Sequence, residues 1–169
     1  MTKEKALVAI PTEELATKLQ DVVLSVTGNQ GLQGFHKAFL MASGIEQLMA
    51  LLTPEYMAPI MKLQGSKLGF RTDKDIVDYK PGPGYSMDIV KNCVIEAVLN
   101  GLQVTGNQFN IIAGNMYPTK EGIGYVLNNF KGLSYQVICG LPRMNNEGTS
   151  AAVEVSIKWN LNGDDNEAV

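Results

Sequence analysis

Two hydrophobic periods occupy opposite ends of this chain, and no all-helical or all-strand fold accommodates both. Near the C-terminus Val153, Val155, Ile157, Trp159 and Leu161 alternate with Glu154, Ser156, Lys158 and Asn160, the two-residue period of a strand with one apolar side. Near the N-terminus Leu15, Leu19, Val22, Val23 and Val26 fall on one stripe of a helix that begins after Pro11 and ends at Gly28-Asn29-Gln30-Gly31. The pairing of these patterns predicts an α+β fold: N-terminal helices, then a small antiparallel sheet with a C-terminal hairpin packed against two helices.

The intervening segments fill in that outline. Phe35 to Leu52 reads as a second helix, loosened near Gly44, and Thr53-Pro54-Glu55 supplies an N-cap, a first-turn proline and an acid for a short third one. From Gln64 to Tyr85 periodicity vanishes among Gly65, Gly69, Pro81, Gly82, Pro83 and Gly84, which predicts a long loop carrying Lys67, Arg71, Lys74 and Lys80. Ser86 or Asp88 caps the clearest helix, with Ile89, Val90, Cys93, Val94, Ala97 and Val98 on its buried side and Asn100-Gly101 as its stop. Phe109, Ile111 and Ala113 alternate as a strand that turns at Gly114-Asn115, and Thr119 caps a helix through Asn129, buried through Ile123, Val126, Leu127 and Phe130. Tyr135, Val137, Cys139 and Leu141 form the strand that pairs with the C-terminal one across Asn145-Asn146-Glu147-Gly148. Three sections result: 1–52 helical and suited to assembly or partner contact, 53–162 an α+β core, and 163–169 an acidic, solvated tail.

Composition narrows the function classes. No run of about 18 apolar residues occurs, so no membrane span is expected, and Met1 to Ala16 carries Lys3, Glu4, Lys5, Glu13 and Glu14 where a signal peptide would be apolar. Cys93 and Cys139 lie in apolar surroundings without a Cys-x-x-Cys pair, which fits buried thiols in a reducing cytosol. The net charge of −3 argues against phosphate partners, but it conceals an asymmetry. Ala58 to Arg143 holds nine basic and six acidic residues, whereas the flanks hold five basic and eleven acidic. Only the middle is suited to face phosphates.

Catalytic and metal motifs are sparse. His36 is the single histidine and falls in a helix, which removes any two-histidine metal site. Asp73, Asp75 and Asp78 resemble a cation loop in composition, but Asp78 stands where an EF-hand needs glycine. Gly65 to Gly69 and Gly82-Pro83-Gly84 match neither phosphate-cradling glycine pattern. Glu96 and Glu121 are single acids on different helices, with no second acid tied to either by spacing. No catalytic residue, metal or cofactor is expected. What remains is a basic, amide and tyrosine series that suits single-stranded nucleic acid: cations and amides for the phosphate backbone, tyrosine faces for bases.

The order of segments carries a resemblance. Val90-Lys91-Asn92-Cys93 through Ala97, Gly101-Leu102, Thr105 to Gly114, Tyr117, Thr119-Lys120-Glu121-Gly122 and Gly124-Tyr125 resemble RecT/Redβ-type phage single-strand annealing proteins, over about Leu52 to Leu161. In that family a helix ends in an Ala-x-x-x-Gly-Leu-like segment, a strand of aromatic and aliphatic residues follows, and Gly-Tyr opens the next helix. The resemblance implies a non-enzymatic, ATP-independent recombinase of the bacterial host cytoplasm that coats single-stranded DNA, anneals it to its complement and assembles into rings or helical filaments, with a phage exonuclease as a further partner. The expected DNA-binding residues are Lys67, Arg71, Lys74, Lys91, Asn107, Gln108, Tyr117, Lys120, Tyr125 and Lys131. Lys91 and Lys120 lead because each lies near a helix start, where backbone N–H groups also favour anions. Two competing classes are an assembly protein that binds no DNA and a small hydrolase using Glu121.

Overall fold

The computed structural model describes residues 13–28, 33–77 and 80–168 and confirms the α+β class. Its helices are α1 (Glu13–Thr27), α2 (Gly34–Leu51), α3 (Pro54–Met61), α4 (Met87–Leu99) and α5 (Lys120–Asn128). One compact unit runs up to Tyr125 and a second begins at Val126, so the division falls inside α5. No described helix is long and apolar enough to cross a membrane.

In the first unit α4 is the hub, packed by α1, α2 and α3 and by strands β4 (Phe109–Ile112) and β5 (Asn115–Pro118). Its sequence explains this role. Val90, Cys93, Val94, Ile95, Ala97 and Leu99 are all buried, so more than one stripe is covered. Beneath the sheet Phe70 and Phe109, both fully buried, stack with centroids 4.8 Å apart, about 0.5–1.5 kcal/mol beyond their area burial.

Gly44 does not loosen α2, which is continuous through it. It is buried, and a Cβ there would come within 2.9 Å of Val26 Cγ2 and 3.4 Å of Leu99 Cδ2, so the missing side chain lets α1 and α4 approach. The expected long loop is also ordered differently from its appearance in sequence. It contains three two-residue strands, β1 (Arg71–Thr72), β2 (Ile76–Val77) and β3 (Lys80–Pro81), the last two paired antiparallel. Strands this short show no period, and side chains fix their fold: Asp75 accepts from Thr72 N and Oγ1 at 3.0 and 2.8 Å, while Gln64 clamps Tyr85, accepting from its N–H at 2.6 Å and donating to its carbonyl at 3.3 Å.

The first unit's sheet has the order β1-β4-β5, with β1 parallel and β5 antiparallel to β4, so it is mixed. The turn falls one residue earlier than the sequence suggests: Ala113 and Gly114, with φ of 51° and 79°, join β4 to β5, and such a pair of positive φ values is the type I′ hairpin geometry. α5 starts as expected. Thr119 Oγ1 accepts from Gly122 N at 3.1 Å, and Ile123 N bonds Thr119 O. Ile123 is 51% exposed, however, and the helix's buried contact is through Gly122 instead.

In the second unit β6 (Leu133–Cys139) pairs antiparallel with β9 (Val155–Leu161), Tyr135 opposite Trp159 and Val137 opposite Ile157. Short strands β7 (Arg143–Met144) and β8 (Ala151–Ala152) extend the same hairpin toward its Asn145–Ser150 turn. The acidic tail is ordered, since β10 (Asp164–Ala168) adds to the other edge of β9 through the Asn162-Gly163 turn, its side chains exposed. In the first unit α4 packs over β4 and β5; in the second, Tyr135, Val137, Val155 and Ile157 of the hairpin are exposed. Cys139 is exposed on that face, against the expectation of two buried thiols, while Cys93 is buried; both are free. Burial pushes the Cys93 thiol pKa up, keeping it protonated.

Candidate nucleic-acid interface

Register places three functional side chains in one line. Arg71 on β1 is opposite Asn110 on β4, and Asn110 is opposite Tyr117 on β5, so cation, amide and phenol share one face across the whole sheet. Phe109, Ile111 and Met116 take the other face and are buried, and alternation turns Arg71, Asn110 and Tyr117 away from them. Tyr117 is 49% exposed, and Ile112 on the same face is exposed as well. Asn110 is half-buried between Arg71 and Tyr117, its Oδ1 enclosed and without a hydrogen-bond partner. Arg71 is half exposed; its Nη1 donates to Gly65 O at 3.1 Å and lies 3.9 Å from Asp75, which orients the guanidinium without using its remaining N–H groups.

A second group gathers at the start of α5. Thr119 N donates to Gln108 O and Thr119 Oγ1 to Asn107 O, tying the loop before β4 to the helix N-terminus. Asn107 adopts φ 54° there, with its Oδ1 buried and unpartnered. Lys120, the first residue of α5, is exposed beside it. Gln108 is buried, its Oε1 accepting from Gln103 N at 2.9 Å, so it shapes this loop from within. Tyr125, half-buried one turn on, accepts from Gln103 Nε2 at 2.6 Å.

Other expected contacts are dispersed. Lys91 donates to Met49 O at 2.6 Å, where it satisfies a carbonyl in the last turn of α2 and opposes that helix's dipole favourably. Lys74 Nζ sits 4.3 Å over the Tyr85 ring. Lys67 is exposed in the turn between α3 and β1, and Lys131 is exposed in the second unit. Asp73 and Asp75, which suggested a cation loop, hold the backbone instead. Asp73 accepts from Tyr85 O–H at 2.7 Å and Ala113 N at 3.0 Å, and the tyrosine oxygen accepts from Gly114 N. The Tyr85 hydrogen bond, followed by that from Ala113, holds the Asp73 carboxyl below its ordinary pKa, and the same bond raises Tyr85. Asp78 lies outside the described residues, among which no group of three or more His, Cys, Asp or Glu is placed to hold a metal.

Sequence reasoning did not single out Asn110 among its site residues, nor could it align Arg71 with Tyr117, because a parallel β1–β4 pairing between distant segments leaves no local signal. No family profile, curated protein or solved structure matches this chain.

Proposed function

We propose that this chain binds single-stranded DNA without a nucleotide cofactor and anneals complementary strands, breaking no bond. The observation that carries the reading is the Arg71–Asn110–Tyr117 line across the open face of the first unit's sheet. A tyrosine exposed on a sheet offers a stacking surface to any base, an arginine beside it neutralises phosphate, and an amide between them meets sugar or base edges; that is the combination sequence-tolerant single-strand binding uses. Lys120, exposed at the start of α5 just after β5 in the chain, adds a further cation for phosphate. The resemblance to RecT/Redβ-type annealing proteins supports the same reading, and with it a homo-oligomer and an exonuclease partner.

Annealing requires phosphate repulsion between strands to fall while base edges remain free to pair, so contacts belong on phosphates, sugars and ring faces. A flat face meets that requirement better than a closed cleft. The test is fluorescence anisotropy of Tyr117→Ala with a labelled oligothymidylate: stacking on one ring is worth about 1–3 kcal/mol per base, so affinity should fall roughly 5- to 150-fold, with Tyr117→Phe close to wild type. Unchanged binding by Tyr117→Ala removes the sheet face as the DNA surface.

A second reading is assembly without DNA. It is favoured by the exposed Tyr135, Val137, Val155 and Ile157 on one side of β6 and β9, since apolar sheet surface of this kind marks interaction sites. A complete absence of oligonucleotide binding together with concentration-dependent self-association decides for it.

A further inference from the structure

Beside β1, a cavity of about 450 Å³ opens between Gln64-Gly65 and the Pro81 to Gly84 turn, with Arg71 and Lys80 on its wall. We propose that this cavity is a phosphate-binding site for the phosphorylated end of a nucleotide or a DNA strand. The proposal rests on the single-strand reading of the adjoining sheet face, with which it shares Arg71.

Four features support it. The volume lies in the range of small-ligand sites and accommodates a nucleoside monophosphate. The charge is favourable: among the described lining residues Arg71 and Lys80 face one acid, Asp75, whose carboxylate already accepts two hydrogen bonds from Thr72. Arg71 is pre-oriented by its bond to Gly65 O, and a planar guanidinium matches a phosphate's oxygens in pairs. The wall, finally, is built by close backbone approach. A Cβ on Gly82 would overlap Lys74 O, one on Gly84 would press on the Gln64 amide at 2.7 Å, and one on Gly65 would reach Asp75 Oδ1 at 2.9 Å. These glycines therefore fix the cavity's shape by close backbone approach.

The chemistry differs from a glycine-loop cradle. Gly82 N and Gly84 N are bonded to Asp75 O and Lys74 O, and Pro81 and Pro83 carry no N–H, so the turn's backbone cannot hold an anion. Side-chain cations must do so, which is why the sequence shows no phosphate-loop motif here. A strand end suits this geometry. A terminal monoester carries more charge than a diester and has three unesterified oxygens, enough to engage a guanidinium and an ammonium together, while the rest of the strand continues onto the Arg71–Tyr117 face.

The experiment uses the full chain at fixed salt with inorganic phosphate, thymidine 5′-monophosphate, and oligothymidylates bearing a 5′-phosphate or a 5′-hydroxyl. The 5′-phosphorylated strand should bind about 5- to 10-fold more tightly than the hydroxyl form, and thymidine monophosphate should erase that advantage in competition. Lys80→Ala should abolish the difference while leaving the 5′-hydroxyl strand within twofold of wild type, and Tyr117→Ala should weaken both strands yet leave monophosphate binding unchanged. Equal affinity for the two strands, or inorganic phosphate binding where the monophosphate does not, overturns the site and leaves the sheet-face reading intact. An equal loss for both strands in Lys80→Ala also overturns it, because the cavity would then hold an internal diester. Monophosphate binding that depends on Lys80, with no strand bound at all, upholds the cavity and removes the DNA reading.

Discussion

Gly122 and Gly124 sit two residues apart in α5, yet replacing each by alanine should move stability in opposite directions. In a helix, alanine is favoured over glycine by up to about 1 kcal/mol, because glycine gives up more backbone freedom on folding. At Gly124 nothing lies within 4 Å of an added Cβ, so that gain should appear in full. At Gly122 the added Cβ overlaps the carbonyl oxygen of Gln108 and comes within 2.8 Å of Leu102 Cδ2. Leu102 can turn aside, but the Gln108 carbonyl is held by Thr119 N at 3.0 Å and cannot. Overpacking of this kind costs about 1–3 kcal/mol, more where backbone is the obstacle, so the net effect of Gly122→Ala is destabilisation by about 1–2 kcal/mol. For a chain of this size that is a fall of roughly 2–8 °C in Tm, against a rise of a few degrees for Gly124→Ala. Thermal unfolding followed by circular dichroism reads both. If Gly122→Ala melts at or above the wild-type temperature, the packing of α5 on the Gln108 loop is not as described, and the placement of Lys120 goes with it.

Lys120→Ala should lower affinity for single-stranded DNA on the order of tenfold, uniformly across sequences, with melting unchanged, because a lysine at a helix start is if anything unfavourable for the dipole; a sequence-dependent loss would show base rather than phosphate contact. Tyr85→Phe should release Asp73: with the largest cause of its lowered pKa removed, the carboxyl titrates closer to the ordinary range, as NMR of its side chain can measure. The sign for stability follows. A lowered folded pKa stabilises fully above the unfolded carboxylate pKa and is lost as pH falls through the folded value, so wild type should lose stability in acid more steeply than Tyr85→Phe, and parallel acid titrations refute the network.

What was legible in the sequence was whatever repeats locally. The stripes of α1 and α4, the Thr119 cap and the alternation of β9 each lie within a few turns or residues of chain; hydrophobic burial enforces the two helix stripes, a hydrogen bond the cap, and backbone pairing β9. Propensity makes Gly44 a weak point because it treats glycine alone, whereas its role depends on Val26 and Leu99 from two other helices. The segment from Gln64 to Tyr85 looked structureless because its order comes from single side-chain bonds, Asp75 to Thr72 and Gln64 to Tyr85, that leave no period. β10 was hidden for another reason: Asp164, Asp165 and Glu167 are exposed on an edge strand, so its pairing with β9 is backbone chemistry that polar side chains do not announce.

The same distinction between local chemistry and long-range placement sets the expected salt response. Lys67, Arg71, Lys74, Lys91, Lys120 and Lys131 all qualified as phosphate contacts by sequence, and six such contacts on a single strand would give a slope of log affinity against log salt of about −4. The structure removes two from that set. Lys91 is bonded to Met49 O, and leaving that carbonyl to bind DNA would expose the end of α2; Lys74 lies over Tyr85, which is itself anchored to Asp73 and Gly114. Lys131 belongs to the second unit, so Lys67, Arg71 and Lys120 remain in the first, for a slope of about −2 with a 5′-hydroxyl strand. Lys91→Ala should leave that slope unchanged while lowering Tm by a few degrees, since a partly exposed charge-assisted cap contributes on the order of 1 kcal/mol. A Lys91→Ala protein that melts as wild type does, but whose slope is shallower by about 0.7, would return Lys91 to the DNA surface and show that its bond to α2 yields to phosphate.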